Sequence, residues 1–346
     1  MNRIKNIAPA DKVSARAARE RWNSVAKPLG SLGLLEAAVE KIAAIQSTPN
    51  VKINSRQAVV MCADNGVVKE GVSQSDSSVT ALCAKEIAEG NSNINVLAKL
   101  YNASVIAVDI GIDRDVESEK LLKRKISYGT KNIAEGAAMT TEQAEESIAV
   151  GMDIVRDSKE DIIITGEMGI GNTTTSAALA SVLLDIPPKE ITGRGAGLDS
   201  AGLKRKISAV ERAIAVNRPD KNKPIELLAK LGGYDIAGMT GIFLGGAVYH
   251  VPIVIDGVIS AVAALLACEI CPLAKDYMLA SHVSGERSGK MLLEKLGLKP
   301  LITAEMRLGE GTGGIMLLPL LDGALAVYNS AHRFEEMGME RYVELK

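Results

Sequence analysis

Short, continuous apolar runs alternate with longer Ala-rich stretches along most of this chain. The runs lie at 57–62, 104–108, 161–164, 252–255 and 277–280. None of them alternates polar with apolar positions. Such runs fit strands buried on both faces, as in a parallel sheet covered by helices. Strand and helix units therefore succeed one another as βαβ units. The expected fold class is α/β: a mostly parallel sheet flanked by helices, Rossmann-like and three-layered. Residues 1–50 read as helices, at 10–22 and 34–45, joined by a turn-rich hinge at 27–33. The last forty residues return to helix and end in a charged tail.

The residues just after each run matter more than the run itself. The five runs lead to Asp64-Asn65-Gly66, Asp109, Gly166-Glu167-Met168-Gly169, Asp256-Gly257 and Ser281-His282. Ligands of open parallel sheets bind at the carboxyl ends of the strands. Acids, glycines and hydroxyls at every such end predict one ligand-lined rim.

Composition narrows the partner. Lys and Arg number 40 against 42 Asp and Glu, a net charge of -2, so the chain is not built around a nucleic acid. Aromatic residues make up 3%, which argues against base-stacking platforms. Four cysteines in 346 residues make no disulfide framework. The first 28 residues are charged throughout and lack an apolar core, so no secretory signal is expected. The longest apolar stretches, 251–268 and 313–328, are interrupted by Asp256 and by Pro319 and Asp322, and no transmembrane helix is expected. The expectation is a soluble, cytoplasmic protein with no membrane partner.

Three glycine clusters carry the candidate chemistry. Residues 165–175, TGEMGIGNTTT, sit between a strand and an Ala-rich helix expected over 176–184. Spaced glycines let backbone N–H groups approach an anion, and a helix N-terminus adds partial positive charge. Gly166 and Gly171 have the spacing of a P-loop, but Asn172 stands where that loop needs Lys. A phosphate cradle and a tight turn both fit. Glu167 would repel a phosphate unless it contacts something else, such as a ribose hydroxyl or a developing cation. The second cluster, 192–199, precedes Lys204, Arg205 and Lys206 and reads as a flap over the same phosphate or as a mobile basic loop. The third, 307–314, isolates Glu310 among glycines just before a helix. A carboxylate so placed is a desolvated base or a charge complementing the helix dipole.

Cys268-x-x-Cys271 looks like half a metal site, but with three histidines in the chain no ligand set is visible, and core packing is expected. His282 fits either a site or a structural role. The residues alone therefore point to a phosphorylated, ribosyl small molecule bound at the sheet rim. They point to a carboxylate base, to no metal and to no cofactor.

Taken together the chain resembles the nicotinate-nucleotide:dimethylbenzimidazole phosphoribosyltransferases, which make the lower-ligand nucleotide of cobamides such as vitamin B12. The resemblance rests on eight segments in family order. They are KPLGSLG (27–33), ADNGV with EGVS and VT (63–80), GEMGIGNTTT (166–175), GRGAGLD (193–199), LGGYDIAGMTG (231–241), IDGVIS (255–260), SHVSGE (281–286) and RLGEGTG (307–313). It implies transfer of the phosphoribosyl group of nicotinate mononucleotide to an aromatic base, with release of nicotinate. It implies Glu310 as the base and Glu167 near the ribose. Gly169, Gly171, Asn172, Thr173, Gly195, Lys206 and Ser284 are implied around the phosphate and ribose. Asn65, Ser73, Leu82, Met168 and Leu308 are implied around the acceptor. It further implies a large α/β domain over 55–305, a small helical domain from 1–54 and 306–346, and a dimer.

The departures gather on the acceptor side. Asn65 stands where the family usually has His. The loop 73–82 lacks the family's aromatic-Pro pair and places Leu82 where Gln is expected. One alternative is therefore a subunit of a heterodimer that transfers to phenol or p-cresol. A non-catalytic, nucleotide-binding partner subunit is another.

Overall fold

The computed structural model describes residues 2–343; Met1 and the last three residues of the expected charged tail lie outside them. Six parallel strands form one sheet: β1 (Arg56–Ala63), β2 (Ser104–Gly111), β3 (Leu122–Lys123), β4 (Ile162–Met168), β5 (Ile253–Ile255) and β6 (Met278–Ala280). Their order is β3-β2-β1-β4-β5-β6, with every neighbouring pair parallel. This is the doubly wound order, whose direction of travel across the sheet reverses between β1 and β4. Five strands match the expected runs. β3 does not, because a two-residue edge strand is too short to leave an apolar run.

The described helices are α1 (Lys12–Ser24), α2 (Leu34–Gln46), α3 (Ser78–Glu89), α4 (Asn93–Leu100), α5 (Thr141–Asp157), α6 (Asn172–Leu184), α7 (Pro188–Ile191), α8 (Ser200–Asn217), α9 (Pro224–Leu231), α10 (Tyr234–Tyr249), α11 (Val258–Ile270), α12 (Gly289–Leu296) and α13 (Thr312–Ser330). Among the described residues no helix is long and apolar enough to cross a membrane.

Successive strand residues point to opposite faces, and the core divides accordingly. Val59, Met61 and Ile163 join one cluster with α5, α10 and α11. Ala58, Val60, Cys62 and Ile164 join another with α1, α2 and α13. Cys268 and Cys271 are free and pack against the first cluster, as core packing requires. On that side α10 meets α5 backbone to backbone. A Cβ at Gly151 would lie 2.0 Å from the Gly238 carbonyl, and one at Gly241 would lie 2.0 Å from that of Ile148. On the other side Trp22 of α1 packs on Tyr328 of α13, with ring centroids 4.9 Å apart. The hinge at 27–33 is held by Glu36, which accepts from Lys27 Nζ at 2.6 Å and from the Leu32 N–H at 2.9 Å.

One boundary differs from expectation. β4 continues through Met168, and α6 starts at Asn172, so part of the expected 165–175 loop is strand. Gly166 thus serves packing rather than a phosphate turn: a Cβ there would lie 2.4 Å from the Glu310 carbonyl oxygen.

Candidate active site

The carboxyl ends of β4, β5 and β6, with three loops, enclose a cleft of about 200 Å³. β4 delivers Glu167 and Met168 to it, and Gly169-Ile170-Gly171 turns the chain into α6. Gly171 has φ 95°, a left-handed conformation that suits glycine. A Cβ on Gly169 would lie 2.4 Å from the Ala63 carbonyl, so the turn lies against the end of β1.

The loop before α13 is wound tightly. Gly309, Glu310 and Gly311 have φ 85°, 61° and 92°. A left-handed non-glycine residue costs about 1–3 kcal/mol and persists only where its surroundings hold it. Asp256 does the holding. Its carboxylate accepts from the Gly311 N–H at 3.1 Å and from the Gly314 N–H at 3.0 Å. Thr312 adds its N–H and hydroxyl to the Gly309 carbonyl, at 3.0 and 2.7 Å.

The result is a half-buried Glu310 that lines the cleft and whose Oε2 has no hydrogen-bond partner among the described residues. Burial, then the neighbouring Asp256, raises its carboxyl above the ordinary range. Glu167 is buried, and burial followed by Asp235 pushes it well above the ordinary range.

The cleft lining also holds a buried cation. Lys206 of α8 is 1% exposed, and its ammonium donates to Thr173 Oγ1 at 2.7 Å. Burial lowers its pKa to about 8, against the opposing influence of Glu286. Gly195 leaves room beside it: a Cβ there would lie 2.9 Å from Thr173 Oγ1 and 3.1 Å from the ammonium. The 192–199 segment therefore does close over the same cleft. Lys206 and Thr173 thus share the cleft with the carboxyl groups of Glu167, Asp256, Glu286 and Glu310.

Of the residues singled out in the sequence, Glu310, Glu167, Met168, Gly169, Asn172, Thr173, Gly195, Lys206, Ser284 and Leu308 line this cleft. Gly171 and Ser73 line a smaller cavity of about 70 Å³ behind the Gly169–Thr173 turn. Asn65 is 2% exposed and lies beneath Gly169 rather than at the cleft surface. Leu82 lines neither cavity: it is 60% exposed on α3, and the next residue, Cys83, is the one within electrostatic range of Glu310. Adjacent helical side chains diverge by about 100°, so the two cannot share a face. Asn172 lines the cleft and also reaches behind it. Its amide is already engaged by two carboxylates, Glu167 Oε2 and Asp235 Oδ2, the latter at 3.0 Å.

The eight segments of the resemblance also contain Asp235, Asp256, Glu286 and Arg307, to which the sequence assigns no individual role; the last three line the cleft. Asp256 was visible at a strand end. Asp235 had one weak signal, a single acid in the apolar stretch 234–247. His282 is 4% exposed at the cleft, with Nδ1 3.0 Å from Ser281 Oγ.

A family model described as "Phosphoribosyltransferase" matches residues 7–339. The chain is 44% identical to the nicotinate-nucleotide–dimethylbenzimidazole phosphoribosyltransferase of Acetivibrio thermocellus, over 98% of this chain and 97% of that protein. It is 42% identical to the protein of the same name from Clostridium acetobutylicum, over 100% and 99%. The crystal structure of CobT from Thermus thermophilus superimposes with a TM-score of 0.90 at 37% identity, covering 95% of this chain and all of that one. With the matching model spanning nearly every residue and the fold shared along the whole length, the chain belongs to this phosphoribosyltransferase family.

Proposed function

We propose that this chain moves the phosphoribosyl group of nicotinate mononucleotide to a ring nitrogen of dimethylbenzimidazole. The anomeric C–N bond to nicotinate breaks, and its electron pair neutralises the pyridinium nitrogen, so nicotinate leaves without a proton. The acceptor nitrogen forms the new bond from the opposite face. The acceptor's N–H proton passes to Glu310. The product is the α-ribotide used in cobamide nucleotide assembly. Relatives named for this acceptor support the reading over a phenolic one.

The observation that carries it is Glu310. Its carboxyl is raised by burial, unpartnered at the buried Oε2, and lines the same cleft as the Lys206–Thr173 corner. A base of this kind contributes about 10²–10⁴-fold. In this reading Lys206, Thr173, Gly195 and Ser284 take the phosphate, and Glu167 meets the ribosyl hydroxyls. Met168 and Leu308 border the acceptor. In the same reading an α/β unit of 55–305 supplies most of the cleft, a helical unit of 1–54 with 306–346 adds the Arg307–Glu310 loop to it, and the enzyme works as a soluble dimer.

The test is nicotinate release from nicotinate mononucleotide by the purified chain, with dimethylbenzimidazole and p-cresol offered in parallel and products identified by mass. Turnover with the benzimidazole by the chain alone is expected. Turnover with p-cresol only, or only after a homologous second subunit is added, would overturn the acceptor assignment.

A further inference from the structure

Asp235 opens α10 directly behind Glu167 and is fully buried. One oxygen, Oδ2, accepts from Asn172 at 3.0 Å, and the other, Oδ1, has no hydrogen-bond partner among the described residues. The same Asn172 nitrogen donates to Glu167 Oε2. One amide thus bridges two buried carboxyl groups from different elements. The arrangement is built into the backbone around it. A Cβ on Gly169 would lie 2.8 Å from Asp235 Oδ2, and one on Gly233 would lie 2.4 Å from Oδ1.

Two carboxylates this close, desolvated and joined by a neutral donor, do not both ionise. The groups around the pair do not relieve the repulsion. Cys62 and Asp64 face it from β1 and the turn after it, and Asp256 and Glu310 face Glu167 from β5 and the loop before α13. Glu146 of α5 faces Tyr234, one residue away. Lys206 is turned toward Thr173, on the other side of the first turn of α6.

We propose that Asp235 is a positioning residue for Glu167: through the shared Asn172 amide it fixes the Glu167 carboxyl at the cleft wall, and its own buried negative charge keeps a proton on that carboxyl at neutral pH. The inference rests on the assignment of Glu167 to the ribosyl hydroxyls made above. It resolves a conflict in that assignment. An ionised Glu167 would repel the phosphate sharing its cleft, whereas a protonated one donates a hydrogen bond to a hydroxyl and carries no charge. The direction of the raised titration at both Glu167 and Asp235, the latter to about 6, agrees with the geometry.

The experiment is an infrared difference titration of the full chain without substrate. The carboxyl C=O band of Glu167 is identified by its loss in Glu167→Gln. In Asp235→Asn the repelling charge is gone while an acceptor for Asn172 remains, so the Glu167 midpoint falls by about one pH unit or more, a tenfold change in proton affinity. In Asn172→Ala the bridging donor is gone, and the midpoint rises. A Glu167 midpoint that stays in place in either folded variant overturns the proposal, and the second variant serves if the first does not fold. Turnover of Glu167→Gln is measured separately. Unchanged turnover there refutes the ribosyl assignment of Glu167, whereas an unmoved titration refutes the role of Asp235.

Discussion

Asp256 carries Glu310 without touching its side chain: both carboxylate oxygens of Asp256 are spent on the backbone that comes after Glu310, at Gly311 and Gly314. The proposed base is therefore aimed by an acid at the end of a strand far away in sequence. Asp256→Asn offers only one acceptor oxygen and leaves one buried N–H unsatisfied, a loss of about 1–3 kcal/mol. Expected are a lower thermal midpoint and a kcat reduced about tenfold or more. The KM for nicotinate mononucleotide changes little, because the phosphate corner lies elsewhere. Steady-state kinetics beside a melting curve check this, and a large KM effect with unchanged kcat would refute the aiming role.

Glu310 must be ionised to accept a proton, and its carboxyl is raised by burial and by Asp256. Activity therefore rises with pH through a midpoint above that of an exposed glutamate. Glu310→Gln removes that limb and lowers kcat by about 10²–10⁴-fold, with nucleotide binding retained. A pH–rate profile together with calorimetric binding tests both halves.

Lys206 predicts the opposite pH sense. Its pKa of about 8 means that it is charged below that pH and neutral above it. The KM for nicotinate mononucleotide should climb as pH passes about 8, and in Lys206→Met it should be raised already below pH 8 and lose that climb. A KM that is flat across this range in the unsubstituted enzyme would remove Lys206 from phosphate binding.

Trp22 tests how far the terminal helices support the site. It is fully buried and stacked on Tyr328 of the helix that begins beside Glu310. Trp22→Ala is expected to destabilise by about 3–5 kcal/mol. Chemical denaturation measures it, and a change below about 1 kcal/mol would show that α1 is dispensable to the core.

The legible parts of the molecule were those with a local physical signature. Runs such as 161–164 announced buried strands because two-sided burial leaves no polar position. Glu310 and Glu167 stood out because glycines on either side make a single acid conspicuous. Lys206 and the 192–199 segment were traceable because an anion site needs both a cation and bare backbone. Relations across the chain escaped. Asp235 is no more than a single acid in an apolar stretch until Asn172, 63 positions earlier, is placed against it. Leu82 was assigned to the pocket by position in a motif, whereas one residue of helical rotation gives that direction to Cys83.

Where α5 crosses α10 at Gly151, Gly238 and Gly241, main chain presses on main chain, and no larger side chain fits there. Tyr234 and Asp235 sit at the end of that seam, so inherited variation in core packing has little leverage on the wall behind Glu167. Leu308, on the opposite lip of the cleft, is 56% exposed and free to change. With Leu308 bordering the acceptor as proposed, a lineage retunes which aromatic ring it accepts by drifting at the lip, while the half proposed to grip the sugar phosphate is passed on intact.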